Sequence, residues 1–233
     1  MPLITFTSDY GTVDHYVAAV KAVIYRSDPR VDVIDVSHDI APFDLAHGAF
    51  VLRAVYHEFP QGSVHLLAVD AEASQGRFVA AKMHGHYFVG ADNGLISLLS
   101  ETPPDCVVLL DVPDTTTFAA KDVLAPAAVA LCNGLDIGRL GEMIDEVNRR
   151  IPRSLRANHK QINGHVIRVN HYGNLITNID RETFSKLSTD KNFQVMFGRE
   201  RARRIACADR SGDPPIMGRR CAVRAYPVRQ LFA

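Results

Sequence analysis

The chain has 233 residues, 47% of them hydrophobic and 22% charged, and its 26 basic and 26 acidic side chains leave a formal net charge of zero. That composition suits a globular protein with one large domain, or a large one and a small one. It argues against a nucleic-acid or anionic-membrane binder, since a basic excess is what such surfaces attract. Cys106, Cys132, Cys207 and Cys221 are widely spaced, with no C-x-x-C pair, and read as buried thiols of a reducing compartment rather than a disulfide framework or zinc site. Asp9 interrupts the first apolar run, unlike a signal peptide. The longest apolar segment, Val123 to Cys132, is about half the length of a membrane span and contains Pro126. The expectation is a cytoplasmic protein.

Taken in order, Leu3 to Thr7 reads as a strand ending at Ser8-Asp9-Tyr10-Gly11. From Asp14, Tyr16, Val17, Val20 and Ile24 recur at helical spacing. Val31 to Val36 is a second strand, and from Asp44 a second helix carries Leu45, Ala49, Leu52 and Tyr56 before Pro60-Gln61-Gly62 stops it. A third strand, Val64 to Val69, completes a β-α-β-α-β order that predicts a parallel sheet covered by helices. Phe78 to Lys82 and Tyr87 to Val89 form a hairpin, a turn at 90–94 precedes Leu95 to Leu99, and Cys106 to Leu110 is a further strand. A short helix runs through Ala125, Ala128 and Leu131 to Gly134.

Residues 1–140 therefore make an N-terminal α/β domain, and the charged stretch 141–162 around Pro152 reads as a linker. Residues 163–233 make a small, mainly β domain with a strand from His165 to Val169, a short helix from Arg181 to Leu187 and a strand from Phe193 to Phe197. The fold class is α/β, a larger sheet domain followed by the small one. From Gly198 onward nine arginines and three prolines leave no readable strands.

The third strand is the centre of the pattern. Its apolar run stops at Asp70, and the small-residue loop that follows closes on Arg77. Ligands of open α/β sheets sit beyond the carboxyl ends of parallel strands. There a carboxylate can take a proton from water while a guanidinium stabilises the hydroxide. The same two residues equally suit a loop cap and a solvated edge charge. Asp9, Asp14, Phe43, Asn93 and Phe118 also follow apolar runs. If the sheet is parallel, several meet at one edge, where an aspartate can hold ribose hydroxyls and an aromatic ring can cover a base. No G-x-G-x-x-G follows the first strand, no P-loop occurs, Ser37-His38-Asp39 is too compact for a triad, and His84 and His86 lack a third metal ligand.

Ile4 to Gly11, Val33 to His38, Ala41-Pro42-Phe43-Asp44, Phe59 to His65, Val89 to Gly94, Asp122 to Ala128 and Tyr172 to Ile179 together resemble, in the same order, the S-adenosylmethionine (SAM) hydroxide adenosyltransferases. These are relatives of the SAM-dependent fluorinase and chlorinase. The resemblance implies hydrolysis of SAM at ribose C5′ to adenosine and L-methionine, with no cofactor or metal. It implies a homotrimer whose site lies at the subunit interface, with SAM or adenosine as ligand and neither nucleic acid nor membrane as partner. Asp70 and Arg77 would be catalytic. Asp9 would hold the ribose, Phe43 and Phe118 the nucleoside, and Asp14, Asn170, Tyr172 and Asn174 would serve the methionine end, with Asn93 also lining the site. The halogenating relatives carry tyrosine where Asp70 stands, which favours water over halide. Ala119 stands where the family has a catalytic histidine, and Asn170 where it has an aspartate. The alternative is therefore a SAM- or adenosine-binding protein with reduced catalysis. On this reading Asp9→Ala weakens binding alone, Asp70→Asn and Arg77→Ala weaken turnover, and Ala119→His raises it.

Overall fold

The computed structural model of the chain describes residues 3–74, 76–113, 116–151, 155–159, 161–188, 195–197, 200–202 and 220–224. It divides into two compact units, Met1–Arg150 and Ile151–Ala233. The first contains β1 (Leu3–Ser8), α1 (Tyr16–Ser27), β2 (Asp32–Ser37), α2 (Leu45–Val55), β3 (Val64–Ala68), β4 (Phe78–Met83), β5 (His86–Ala91), β6 (Cys106–Leu110), α3 (Ala125–Cys132) and β7 (Gly141–Ile144).

These strands form one seven-stranded sheet in the order β2-β1-β3-β5-β4-β6-β7. The parallel part expected from the βα alternation is real but covers only β2-β1-β3-β5. The β4–β5 hairpin enters with its second strand against β3, so β4 folds back antiparallel and β6 and β7 continue antiparallel from it. The stretch expected to begin the linker is thus sheet: Met143 pairs with Val108 and Ile144 with Val107. Its charge had masked two apolar residues that complete the sheet edge.

Alternation along each strand divides the apolar side chains between two cores. Ile4, Phe6, Leu66, Ala68, Ala80 and Val89 pack with Val20 and Ile24 of α1 and Ala125 and Ala128 of α3. Leu67, Val69, Val79, Ala81 and Phe88 pack with Leu45, Ala49 and Leu52 of α2. The approach of α2 is close: a Cβ on Gly48 would lie 3.0 Å from Leu95 and 3.3 Å from Val69. That contact seats the last residue before Asp70. A π-helical turn, Ala120–Leu124, precedes α3, whose first turn tolerates Pro126 because no amide partner is needed there.

The second unit contains β8 (Arg156–Ala157), β9 (Ile162–Asn163), β10 (Val166–Val169), β11 (Asn174–Asp180), α4 (Arg181–Ser188), β12 (Val195–Phe197), β13 (Glu200–Ala202) and β14 (Arg220–Arg224). β11 pairs antiparallel with β10 on one side and with β14 on the other. The tail therefore contributes at least two strands where no pattern was legible, while Phe193, Cys207 and most of residues 198–233 lie outside the described residues. Cys106 and Cys132 are free thiols. Among the described residues, no helix is long and apolar enough to cross a membrane.

At the amino-terminal end of the parallel strands lies a buried histidine pair. His65 Nδ1 shares a 2.7 Å hydrogen bond with Thr5 Oγ1, and its Nε2 lies 3.3 Å from His86 Nδ1. Burial, then the charge of His86, pushes the His65 pKa down to about 3, and burial also lowers that of His86. The unfolded chain takes up protons below about pH 6.5 that the folded chain refuses, so stability is full above that pH and falls as pH drops toward about 3. His65 contributes a slope of up to about 1.4 kcal/mol per pH unit in that window. Urea midpoints should accordingly fall between pH 7.5 and pH 5, and His65→Gln should flatten the fall; an unchanged slope in that variant would remove the pair as its cause.

Candidate active site

The loops that leave β1, β2 and β3 converge on one carboxylate. Asp9 follows β1, and its backbone N–H donates to Ala68 O at 3.4 Å, extending the β1–β3 pairing by one residue. Its Oδ2 accepts from Phe43 N at 2.9 Å and from Asp70 N at 3.1 Å. Both donors lie in left-handed backbone, with φ of 63° at Phe43 and 49° at Asp70. Such a conformation costs a non-glycine residue about 1–3 kcal/mol. A hydrogen bond to a charged acceptor contributes about 1.5–3 kcal/mol, so the Asp9 oxygen offsets the strain at both positions. The β2 end is also held by His38, whose carbonyl accepts from Gly11 N at 2.8 Å and whose Nδ1 lies 2.7 Å from Ser8 Oγ.

Asp70 is pushed above the usual carboxylate range by burial and by the negative charge of Asp9, with Arg150 pulling the other way. A carboxylate so tuned is a better proton acceptor near neutral pH than a solvated one. Asn93 fixes its loop: Nδ2 donates to Val69 O at 2.9 Å and Asp70 O at 3.0 Å, while Oδ1 accepts from Leu95 N at 3.1 Å. With those bonds made and 8% of its surface exposed, Asn93 holds the backbone that carries Asp70.

Arg77 does not pair with Asp70. Its Nε donates to Asp92 Oδ2 at 2.7 Å. The Asp92 side chain is 1% exposed, and its Oδ1 accepts from Asn148 N at 2.7 Å. Asn148 Nδ2 in turn donates to Asp92 O at 2.6 Å. Asp92 was not expected to act here, although its place in the turn at 90–94 was the available signal. The Arg77 side chain remains 44% exposed, leaving its terminal nitrogens open to a partner.

Rings complete this edge. Phe43 is 74% exposed, an apolar face displayed beside the Asp9 carboxylate. Phe118 packs edge-on against Tyr10 and Tyr16, each with centroids 5.6 Å away. The Tyr10 hydroxyl is buried without a hydrogen-bond partner. Asp14 is exposed in the bend before α1, which starts at Tyr16 with His15 rather than Asp14 at its cap.

The sequence profile of the SAM hydroxide adenosyltransferase N-terminal domain matches residues 4–141. The chain belongs to the SAM hydroxide adenosyltransferase family. A Methanocaldococcus jannaschii protein named (R)-S-adenosyl-L-methionine hydrolase is 34% identical, over 81% of this chain and 72% of its own length. A Thermus thermophilus protein of the same name is 35% identical, over 76% and 74%. A fluorinase from an Actinoplanes species is 25% identical, over 97% and 93%. The crystal structure of an uncharacterized conserved protein from Thermotoga maritima superposes with a TM-score of 0.78 at 30% identity, covering 85% of this chain and 80% of that one.

In this SAM hydroxide adenosyltransferase family member, Ala119 is 1% exposed and packed in the core shared by α1 and α3. An imidazole there would overpack the core, at a typical cost of about 1–3 kcal/mol of stability, so Ala119→His carries that cost beside any gain in turnover. Among the described residues, no group of three His, Cys, Asp or Glu side chains is arranged to hold a metal.

Within the second unit, Asn170, Tyr172 and Asn174 share the β10–β11 turn. Asn170 Oδ1 accepts from Tyr172 N at 3.0 Å and from Asn174 N at 2.9 Å. The Asn170 side chain thus braces the turn, and the Tyr172 side of it is presented outward, 80% exposed.

Because Asp9 holds the Asp70 amide, Asp9→Ala should not be a clean binding variant as first expected. It should loosen Phe43 and Asp70 together, lower nucleoside affinity and turnover alike, and speed amide exchange at residues 43 and 70. Asp9→Asn, which keeps an acceptor oxygen, should do so less. Wild-type exchange rates at both amides in Asp9→Ala would show that the carboxylate does not hold them.

Proposed function

We propose that this chain hydrolyses SAM at ribose C5′, releasing adenosine and L-methionine. The observation that carries the reading is the Asp9–Asp70 arrangement: one carboxylate pinned at the strand ends, and a second beside it with a raised pKa. The relatives named as hydrolases support it. Asp9 Oδ1, not used by the Phe43 and Asp70 amides, would accept from the ribose hydroxyls, and Phe43 and Phe118 would pack on the nucleoside. Asp70 would accept a proton from water as the water oxygen forms its bond to C5′. The C5′–S bond breaks, and its electron pair neutralises the sulfonium as methionine leaves. SAM supplies its own leaving group, so alignment and exclusion of bulk water are the main demands on the protein. The free end of the Arg77 guanidinium would stabilise developing hydroxide, and Asp14, Asn170, Tyr172 and Asn174 would serve the methionine end. No cofactor enters this scheme, and the wide cysteine spacing supports a cytoplasmic setting.

One observation favours a second reading, a SAM- or adenosine-binding protein of reduced activity: Arg77 is tied to Asp92, and position 119 carries only a buried methyl. Chromatography of a SAM incubation separates the two. Adenosine and methionine should form, without a 5′-chloro nucleoside even in high chloride. Asp70→Asn should lower kcat about 10²-fold or more and change the SAM dissociation constant only a few-fold. SAM binding without adenosine release would favour the binder, and a chlorinated product would overturn the choice of water.

The same reading includes a homotrimer with SAM held between subunits, a proposal supported by the family resemblance. Light scattering should give three times the mass of one chain, and a monomer that turns over SAM would contradict the shared site.

A further inference from the structure

Arg150 closes the first unit, where the sequence shows only a charged stretch. Several contacts nevertheless fix it in place. Its backbone N–H donates to Ser97 Oγ at 2.9 Å, and Ser97 Oγ donates to Gly94 O at 2.7 Å. Its Nε donates to Asn93 O at 3.2 Å. Its aliphatic stem crosses Gly94 so closely that a Cβ there would lie 2.2 Å from Arg150 Cγ. The guanidinium is thus fastened over the Asn93–Gly94 turn from one side. From the other side of the same turn, Asn93 Nδ2 donates to Asp70 O at 3.0 Å. Two hydrogen bonds through one asparagine join Arg150 to the loop of the proposed base.

The charges around Asp70 give this path a purpose. Asp9, from the end of β1, is the negative neighbour that its amide is bonded to. Glu72, on the loop that Asp70 begins, is exposed. Arg77, at the far end of that loop, has its Nε on Asp92. Arg150 is the cation whose charge acts on Asp70.

We propose that Arg150 is a positioning residue for Asp70: clamped on the Asn93–Gly94 turn, it supplies the positive charge that offsets Asp9 and holds the Asp70 loop in place. The proposal rests on Asp70 being the base of the reaction above. Its consequence is that Asp70 stays ionised over a wider pH range than its burial beside a second carboxylate would allow. Arg77, expected from sequence to stabilise hydroxide, has its Nε on Asp92 beside the start of β4.

The test is the acid limb of the pH profile of kcat/KM. In Arg150→Gln its midpoint should move up by about half to one pH unit, because an exposed charge is partly screened. Arg150→Lys, which keeps the charge, should return the midpoint toward wild type while the plateau stays low, since the bond to Asn93 O is lost. Arg77→Gln should leave the midpoint in place whatever it does to the plateau. A purely structural role for Arg150 would lower the plateau and leave the midpoint fixed; that result, or a larger midpoint shift in Arg77→Gln, would overturn the proposal. A turnover-free readout accompanies it: the carboxyl-carbon NMR titration of Asp70 should shift upward in Arg150→Gln. If wild-type protein released no adenosine, the hydrolase reading would fail, and this titration would still decide whether Arg150 sets the charge state of Asp70.

Discussion

One carboxylate oxygen organises the ligand edge of this fold. Asp9 Oδ2 accepts from the amides of Phe43 and Asp70, which leave different strands. Parallel neighbours bring these strand ends together in space, but they do not dictate where the following residues turn. The shared acceptor does. It holds two non-glycine residues in left-handed backbone, and so places an exposed ring and a second carboxylate on either side of the first. Hydrogen bonds to an ionised acceptor are strong enough to balance that strain, whereas neutral ones would barely do so.

Around this centre the polar groups form two tiers. Asp9 and Asp70 keep carboxyl oxygens that the described bonds leave open, while Asn93, Asp92, Asn148 and Arg150 bond to backbone groups and to one another. Asp92, almost fully buried, is neutralised by Arg77 and satisfied by Asn148. A buried carboxylate left without such partners would be costly. The histidines at the opposite end of the parallel strands follow the other solution to burial, remaining neutral against Thr5 and one another.

Much of this edge was legible in the sequence because it depends on local pattern. Val64 to Val69 is apolar and then stops, and Asp9, Phe43 and Asp70 follow strands that a βαβ order makes parallel. The partner of Arg77 was not legible. Seven residues of loop bring it back toward Asp70 in sequence, yet Asp92 at the end of β5 lies opposite the start of β4, and that pairing follows from hairpin register rather than spacing. Arg150 was hidden for a related reason: a charged residue in a run of charges carries no signal until the strand before it is seen to return to the sheet. Asn93 and Asn170 lie in turns that the sequence marked, but the bracing bonds of their side chains were not legible, since an asparagine that ligates and one that braces a turn look alike in sequence.

The left-handed backbone at Asp70 also bears on how the chemistry of this scaffold can change over evolution. Aspartate, asparagine and glycine adopt that conformation with the least strain; β-branched and bulky residues do so at greater cost. Residue 70 is thus a site where side-chain identity and backbone shape are inherited together. Replacing the acid by a large ring changes the backbone strain of the loop as well as the group carried at the strand end. A lineage that puts a large ring at position 70 therefore meets there the same left-handed strain that the Asp9 oxygen already offsets at Phe43.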